Sequence, residues 1–352
     1  MALLEMDGKY YDMDTSNKQF LEISEMFKDK GIKNSKFMLE LKNPDLYGID
    51  PFDMFLDDKT KLAILQECKE NVFYFLRELI RIPNPDGSVS QYYPTEENMT
   101  QAYCASNRFD TVVEGRRQTY KTVSVACFLL WVMVFQTNQN INVISHSFDS
   151  SKHVLITVRN IYRKLPLYAQ IGTMETSETV ETFSNEVAKN KMTAVKLPVV
   201  VTDSEDKETE KLYLKKFCEN CNRLTPTIEF IDDMEFVPYC YTLLRETAAG
   251  FHYASQNIKY GKTYNTEEGK IERIDKGLVF CRICVNTKDP SEPEHNLPTK
   301  EQREDKRSFE RRVMQWDPFY FDITLQELHA MVDEEIKIGF NGFIGIGTRR
   351  LV

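Results

Sequence analysis

One stretch of the chain combines residue types that could bind a phosphate group. Residues 112–131, "VVEGRRQTYKTVSVACFLLW", read as a short apolar strand, a polar turn, Lys121-Thr122 and an apolar helix. Backbone N–H groups at a helix N-terminus bind phosphate, a lysine adds positive charge, and a hydroxyl can reach Mg²⁺. Gly115, Lys121 and Thr122 stand at the spacing of a phosphate-binding loop, but Tyr120 occupies a position where such loops almost always carry glycine. On these residues alone, a helix that begins with Lys-Thr by coincidence is the favoured interpretation.

Two later strand ends carry polar residues that would complete a nucleotide site. The stretch "TPTIEFIDDMEF" is an apolar strand that ends in Asp232 and Asp233. In nucleotide hydrolases of this architecture, one acid holds Mg²⁺ through water and the next activates the attacking water. A solvated acidic turn is the alternative. Asn286-Thr287 end a further strand in "VFCRICVNTKDP" and could sense a γ-phosphate, although by themselves they are only a strand end. The loop and the acids in this order, each at a strand end, favour a nucleotide site.

The elements that must position these residues alternate along the chain. Periodicity predicts helices at 59–82 and from Thr95 onward. Predicted strands then follow at 109–113, 140–145, 192–201, 225–232 and 277–286, with predicted helices between them at 120–135, 148–165, 206–221 and about 235–257. Such alternation predicts a largely parallel sheet with helices on both faces.

Composition limits the classes of protein that fit. The net charge of −9 over 352 residues argues against bulk electrostatic coating of nucleic acid, although a local basic track runs from Lys306 to Arg312. The N-terminus lacks a signal-peptide pattern, and the longest apolar run, 123–135, is too short for a confident membrane span. The pairs Cys218/Cys221 and Cys281/Cys284 have zinc-ribbon spacing, but the strand pattern around the second pair favours buried structural cysteines.

Taken together, the ordered stretches resemble the ATPase, or motor, domain of tailed-phage large terminases, most closely the type found in very large (jumbo) phages. The stretches that carry the resemblance are "YGIDPFD", "CKENVFYFLRELIRIP", "EGRRQTYKTVSVACFLLW", "VISHSFDSSKHVLITVRNIYRKLPLYAQ", "CNRLTPTIEFIDDMEFVPY", "AAGFHYASQNIKYGK" and "CVNTKDP". Three positions depart from the family pattern: Tyr120 replaces the loop glycine, Asp233 replaces the catalytic glutamate, and Lys288 interrupts the usual Thr-Thr-Pro ending.

The resemblance implies a fold and a domain organisation. The expected fold is an α/β P-loop NTPase of the ASCE type, with a mostly parallel central sheet flanked by helices and a smaller helical N-terminal lid region. The expected domains are the lid region at 1–90, the ATPase core at 91–317, and at 318–352 the end of the ATPase domain or a linker toward a nuclease domain absent from this chain.

The resemblance also assigns roles to residues. Asp233, Arg117 and Lys121 would be catalytic, with Asp233 activating the water and Arg117 stabilising the transition state. Thr122 and Asp232 would hold Mg²⁺. The residues expected to bind ATP are Gly115, Arg116, Gln118, Thr119, Tyr120, Lys121, Thr122, Asn286, Thr287 and Arg223. Asn98 or Gln101, on the helix before the loop, are candidates to contact adenine.

The implied function is Mg-ATP hydrolysis that drives double-stranded DNA into a procapsid. The implied partners are DNA, the phage portal protein, the small terminase subunit and further copies of the chain in a ring. The implied location is the host cytoplasm, transiently at the portal and not in the mature virion. Two alternatives stay open: a nucleotide-binding or assembly module with little or no hydrolysis, and a helicase-like ATPase outside packaging.

Overall fold

The computed structural model describes most of the first two thirds of the protein and short strands beyond it. The described residues are 3–107, 111–115, 121–171, 174–176, 182–198, 207–220, 226–233, 237–238, 252–257, 281–285, 344–345 and 348–349. Seven α-helices are described, namely α1 (Lys18–Asp29), α2 (Asp58–Glu70), α3 (Val72–Tyr74), α4 (Glu96–Ser106), α5 (Lys121–Phe135), α6 (Phe148–Tyr162) and α7 (Lys207–Asn220). None of the described helices is long and apolar enough to cross a membrane.

Fifteen strands are described. They are β1 (Leu3–Met6), β2 (Lys9–Asp12), β3 (Glu40–Leu41), β4 (Arg81–Pro83), β5 (Val89–Gln91), β6 (Thr111–Gly115), β7 (Asn140–Ile144), β8 (Met174–Thr176), β9 (Thr182–Asn185), β10 (Asn190–Ala194), β11 (Ile228–Ile231), β12 (His252–Asn257), β13 (Cys281–Val285), β14 (Ile344–Gly345) and β15 (Thr348–Arg349).

Eight of these strands form the central sheet, in the order β13-β6-β12-β11-β7-β10-β9-β8. The six strands from β13 to β10 run parallel, and β9 and β8 extend the sheet antiparallel. The prediction of a mixed α/β fold with a largely parallel sheet is therefore confirmed. Val112, Ile144 and Ile228 lie on sheet strands as expected, whereas Val279 lies outside the described residues.

The strand β12 corrects the sequence prediction, which placed a helix at about 235–257. His252–Asn257 instead pair in parallel with β11 on one side and β6 on the other. Both neighbours offer backbone donors and acceptors that only an extended segment can satisfy, so position in the sheet overrides the weak local propensity of "HYASQN". Residues 235–236 and 239–251 of the predicted helix lie outside the described residues.

The predicted helix at 59–82 is interrupted at Asn71. Helix α2 ends at Glu70, and Asn71 adopts an extended backbone with φ −137° and ψ 94°. The Asn71 side chain accepts hydrogen bonds from the N–H groups of Phe73 and Tyr74, each at 3.1 Å, and so begins a new short helix. A π-helical turn at Phe75–Leu79 and the β4–β5 hairpin follow.

The helix α5 is apolar on every face and lies in the centre of the core. Of its 15 residues, all but Thr122 and Val123 are buried. A helix with this composition is stable only when it is covered on all sides. The sheet and helix α6 cover part of it, and the N-terminal region covers another part, since Trp131 Nε1 donates to Cys68 O at 2.7 Å and Phe135 packs edge-on against Phe75.

Three small sheets are described outside the central one, and the β4–β5 hairpin is one of them. β1, β2 and β3 form an antiparallel sheet that the sequence patterns did not predict. Helix α1 follows β2 in the chain, within the region expected to be a helical lid. The final stretch "GFIGIGTRRLV" was expected to supply a last strand or a linker. Its described residues, β14 and β15, pair with each other in a two-stranded sheet.

Candidate active site

The candidate phosphate loop joins a strand to a helix, as the sequence predicts. Strand β6 ends at Gly115 and helix α5 begins at Lys121. Lys121 is buried in the first helical turn, with 7% of its surface exposed. The five loop residues between these elements, Arg116, Arg117, Gln118, Thr119 and Tyr120, lie outside the described residues, so their predicted contacts with nucleotide stay predictions.

The first acid after β11 contacts the first turn of α5. Thr122 Oγ1 donates to the Asp232 carboxylate, at 3.3 Å from Oδ1 and 3.2 Å from Oδ2. The backbone N–H of Asp232 donates to Ile144 O at 2.8 Å and continues the ladder between β11 and β7. Thr122 lies at the start of the helix that follows β6, and Asp232 directly follows β11. The two strands run parallel with β12 between them, so their carboxyl ends lie at one edge of the sheet.

A hydroxyl and a buried carboxylate in contact suit a hard cation. Mg²⁺ prefers oxygen ligands and usually keeps several waters, with one or two carboxylates and substrate phosphates completing its octahedron. Thr122 and Asp232 therefore fit a Mg²⁺ site that also needs a phosphate. Within the described ranges, no group of three or more His, Cys, Asp or Glu side chains is arranged to hold a metal by itself.

The second acid contacts a different neighbour. Asp233 Oδ2 lies 3.8 Å from His146 Nδ1, and both side chains are partly exposed. Asp233 has a φ of +48°, in the left-handed region that Asp and Asn tolerate better than most residues. The two consecutive acids thus have different neighbours, Thr122 for Asp232 and His146 for Asp233.

The His146 neighbourhood is a polar cluster that the sequence analysis missed. The ring of His146 has Ser145 Oγ at 3.4 Å from Nδ1 and Ser150 Oγ at 3.4 Å from Nε2. Ser147 caps helix α6 by accepting from the N–H of Ser150 at 3.1 Å. A signal was available, since "SHS" directly follows the apolar strand β7 and so belongs at the same sheet edge as the two acids.

The two candidates for adenine contact lie inside helix α4. Asn98 forms a capping box with Thr95, and the Thr95 N–H donates to Asn98 Oδ1 at 3.0 Å. Asn98 Nδ2 also donates to Gln101 Oε1 at 3.3 Å. Gln101 is 1% exposed, and its Nε2 has no hydrogen-bond partner among the described residues. Tyr92 Oη donates to Ser124 Oγ at 2.7 Å, which ties the segment before α4 to the first turn of α5.

The remaining predicted site residues lie outside the described part of the chain. These are Arg223, Asn286 and Thr287. Strand β13 ends at Val285, which pairs with Gly115 across the β13–β6 ladder. Val285, the residue before Asn286 in the sequence, therefore lies beside the last residue of the strand that precedes the candidate loop. Cys281 and Cys284 lie on β13, as predicted, whereas the expected burial of their side chains stays untested.

Comparison with known proteins finds a weak structural similarity. No family model matches the sequence. Among solved structures, the chain is similar to the large terminase from a thermophilic bacteriophage, with a TM-score of 0.37 and 12% sequence identity. The match covers 64% of this chain and 51% of that protein, so the chain spans about half of the terminase's length.

Proposed function

We propose that the protein is the ATPase domain of a DNA-packaging motor of the large-terminase class, jumbo-phage type, and hydrolyses Mg-ATP to move double-stranded DNA. The observation that carries the proposal is the contact of Thr122 with Asp232 at the carboxyl edge of the sheet. The two residues are separated by 110 positions in the sequence and stand at the two places where a P-loop enzyme needs a hydroxyl and an acid for Mg²⁺.

The strand order supports the finer fold class. In the ASCE class of P-loop NTPases, an additional strand separates the loop strand from the strand that carries the acids. Here β12 lies between β6 and β11. The correction of residues 252–257 from helix to strand therefore strengthens the assignment.

Each residue of the proposed site would have a separate role in ATP hydrolysis. Lys121 would bind the β- and γ-phosphates, together with backbone N–H groups at the N-terminus of α5. Thr122 and Asp232 would hold Mg²⁺, which supplies charge neutralisation for the phosphates. Asp233 would accept a proton from the attacking water, and Arg117 would stabilise the charge that develops on the transferred phosphoryl group.

The mechanical part of the proposal rests on the sequence resemblance. Since the net charge is −9, DNA would be held by local basic segments such as 306–312 rather than by the whole surface. Assembly as a ring on the portal protein, with the small terminase subunit delivering DNA in the host cytoplasm, would complete the motor.

A second candidate function is a nucleotide-binding or assembly module without hydrolysis. The substitutions at Tyr120 and Asp233 favour it, because a side chain at the glycine position hinders close approach of phosphate, and aspartate is one methylene shorter than glutamate. The two functions differ in one measurable property, which is ATP turnover stimulated by DNA.

The test compares wild type with Lys121→Ala in nucleotide binding and in ATP turnover, with and without double-stranded DNA. We expect DNA-stimulated turnover in wild type, its loss in Lys121→Ala, and a loss of about 2–3 kcal/mol in nucleotide binding, because a charged contact to phosphate is removed. Lys69→Ala, at an exposed position on α2, is the matched control and should behave as wild type.

Two results would contradict the proposal. Tight nucleotide binding without any turnover in wild type would establish the assembly module instead. Equal affinity in wild type and a folded Lys121→Ala variant, verified by circular dichroism, would mean that nucleotide binds elsewhere.

A further inference from the structure

We infer that His146 is a positioning residue for the proposed reaction, and that it orients the Asp233 carboxylate toward the attacking water. The inference rests on the proposed function and adds to it a residue that follows β7, a strand outside the P-loop and acid motifs. It starts from the separation of 3.8 Å between His146 Nδ1 and Asp233 Oδ2.

The sheet itself fixes this pair. Strands β7 and β11 run parallel with Ile144 opposite Ile231, so His146 and Asp233 each follow the registered pair by two residues. The hydrogen bond from the Asp232 N–H to Ile144 O extends the ladder to this level. The register of the two strands therefore brings residues 146 and 233 to the same level at the carboxyl edge of the sheet.

The position of His146 in the sheet suits a residue that orients a base. In the order β6-β12-β11-β7, the strand before His146 lies on the opposite side of β11 from β6, the strand that leads to Lys121. His146 lies 3.8 Å from Asp233 Oδ2, whereas Thr122 contacts the neighbouring acid, Asp232. A shorter acid than the family's glutamate has less reach, so its orientation matters more.

The imidazole ring is itself held in place. Ser145 Oγ lies 3.4 Å from Nδ1, and Ser150 Oγ lies 3.4 Å from Nε2. Ser150 Oγ is in turn 2.8 Å from Ser147 Oγ, and Ser147 caps the 15-residue helix α6. The separation of 3.8 Å between His146 and Asp233 exceeds hydrogen-bond length. Catalytic contacts are often long without substrate and tighten in the substrate complex.

The kinetic test uses His146→Ala, His146→Asn and His146→Gln. We expect His146→Ala to lower kcat by about tenfold with KM for ATP changed less than about twofold, since only the orientation of the base is lost. The amide nitrogen of asparagine replaces Nδ1, whereas that of glutamine replaces Nε2, so Asn should restore most of the rate and Gln should not. His153→Ala, an exposed histidine on α6, is the control and should leave both constants unchanged.

Two further measurements separate positioning from a structural role. In an Asp233→Asn background, His146→Ala should cause no additional loss of turnover. In the nucleotide-free protein, selective labelling of the five histidines should show that Asp233→Asn shifts the His146 ring resonance, assigned by its disappearance in His146→Ala, and not that of His153.

The outcomes distinguish failure of the inference from failure of the proposed function. Wild-type turnover that depends on Lys121 but is unchanged or increased in His146→Ala would overturn the positioning role alone; an increase would mean that His146 restrains Asp233. A wild type without turnover would overturn both, whatever the ring resonance shows. An unshifted resonance in Asp233→Asn would overturn the contact itself.

Discussion

At the scale of single residues, the backbone supplies a reason for the aspartate at position 233. The resemblance to terminases treats Asp233 as a shortened glutamate that slows hydrolysis. The structure places this residue at a φ of +48°, where a short polar side chain is tolerated better than a longer one. The identity of the acid at position 233 therefore also affects the stability of the turn after β11.

This dual role predicts opposite effects of Asp233→Glu on rate and stability. The longer side chain should reach the attacking water and raise ATP turnover, while the left-handed backbone should lower the free energy of unfolding by up to about 1 kcal/mol. Turnover assays and urea denaturation of the same preparation measure both quantities. Asp233→Asn is the matched control, because it keeps the backbone preference and should lose turnover without loss of stability. Lower turnover in Asp233→Glu would show that the site is built for aspartate.

At the scale of elements, side chains from the antiparallel pair β9–β10 hydrogen-bond to the C-terminal end of helix α5. The last carbonyl groups of a helix have no partner within it and need one elsewhere. Asn190 Nδ2 lies 3.2, 3.1 and 2.6 Å from the carbonyl oxygens of Val132, Met133 and Gln136, and Asn185 Nδ2 donates to Met133 O at 2.9 Å. The helix that begins with Lys121 is thus anchored at its far end by two amides from β9 and β10.

Replacement of Asn190 should destabilise the fold through this anchor. Asn190→Ala removes the donor to buried carbonyls and the acceptor for the Gln139 N–H at 2.7 Å, so we expect a loss of about 2–3 kcal/mol in the free energy of unfolding. Asn190→Asp should cost at least as much, because a carboxylate meets the negative end of the helix. Denaturant unfolding followed by circular dichroism gives the values. Lys191→Ala, exposed on the same strand, should change stability by less than about 0.5 kcal/mol; a similar loss there would argue against a specific anchor.

At the scale of the whole molecule, the first ninety residues and the sheet region share one core. Buried residues from α1, α2 and the π-helical turn belong to the same cluster as those of α5 and α6. The rings of Phe75 and Phe135 meet at 5.4 Å between centroids, in an edge-to-face arrangement. The domain boundary near residue 90 stays a prediction from sequence. Because the two regions pack against each other, an experiment can measure whether they unfold together.

A cavity at the contact between Phe75 and Phe135 should destabilise both the N-terminal region and the sheet region. Phe75 is fully buried, so Phe75→Ala should cost about 3–5 kcal/mol in stability. If the two regions unfold as one unit, hydrogen exchange should show equal losses of protection in α2 and in α5. Met54→Ala, a highly exposed position before α2, is the control and should change neither. A loss of protection confined to α2 would instead establish the N-terminal region as an independent folding unit.

The sequence by itself determined the alternating part of the fold and the edge at which the site lies. Strands β6, β7, β10, β11 and β13 and helices α5, α6 and α7 were predictable, because apolar runs of strand length alternate with helical periodicity. Parallel strands bring their carboxyl ends to one edge, so the proximity of Thr122 and Asp232 followed from local patterns plus a general rule.

The tertiary structure decided the features that depend on neighbours distant in the chain. Residues 252–257 are a strand because β11 and β6 leave backbone groups to be paired, and Asn71 ends a helix because its side chain caps the next one. The register of β7 against β11 and the left-handed backbone at Asp233 bring Asp233 close to His146. Such contacts are set by the packing of whole elements, whose free energy depends on partners that no local stretch of sequence contains.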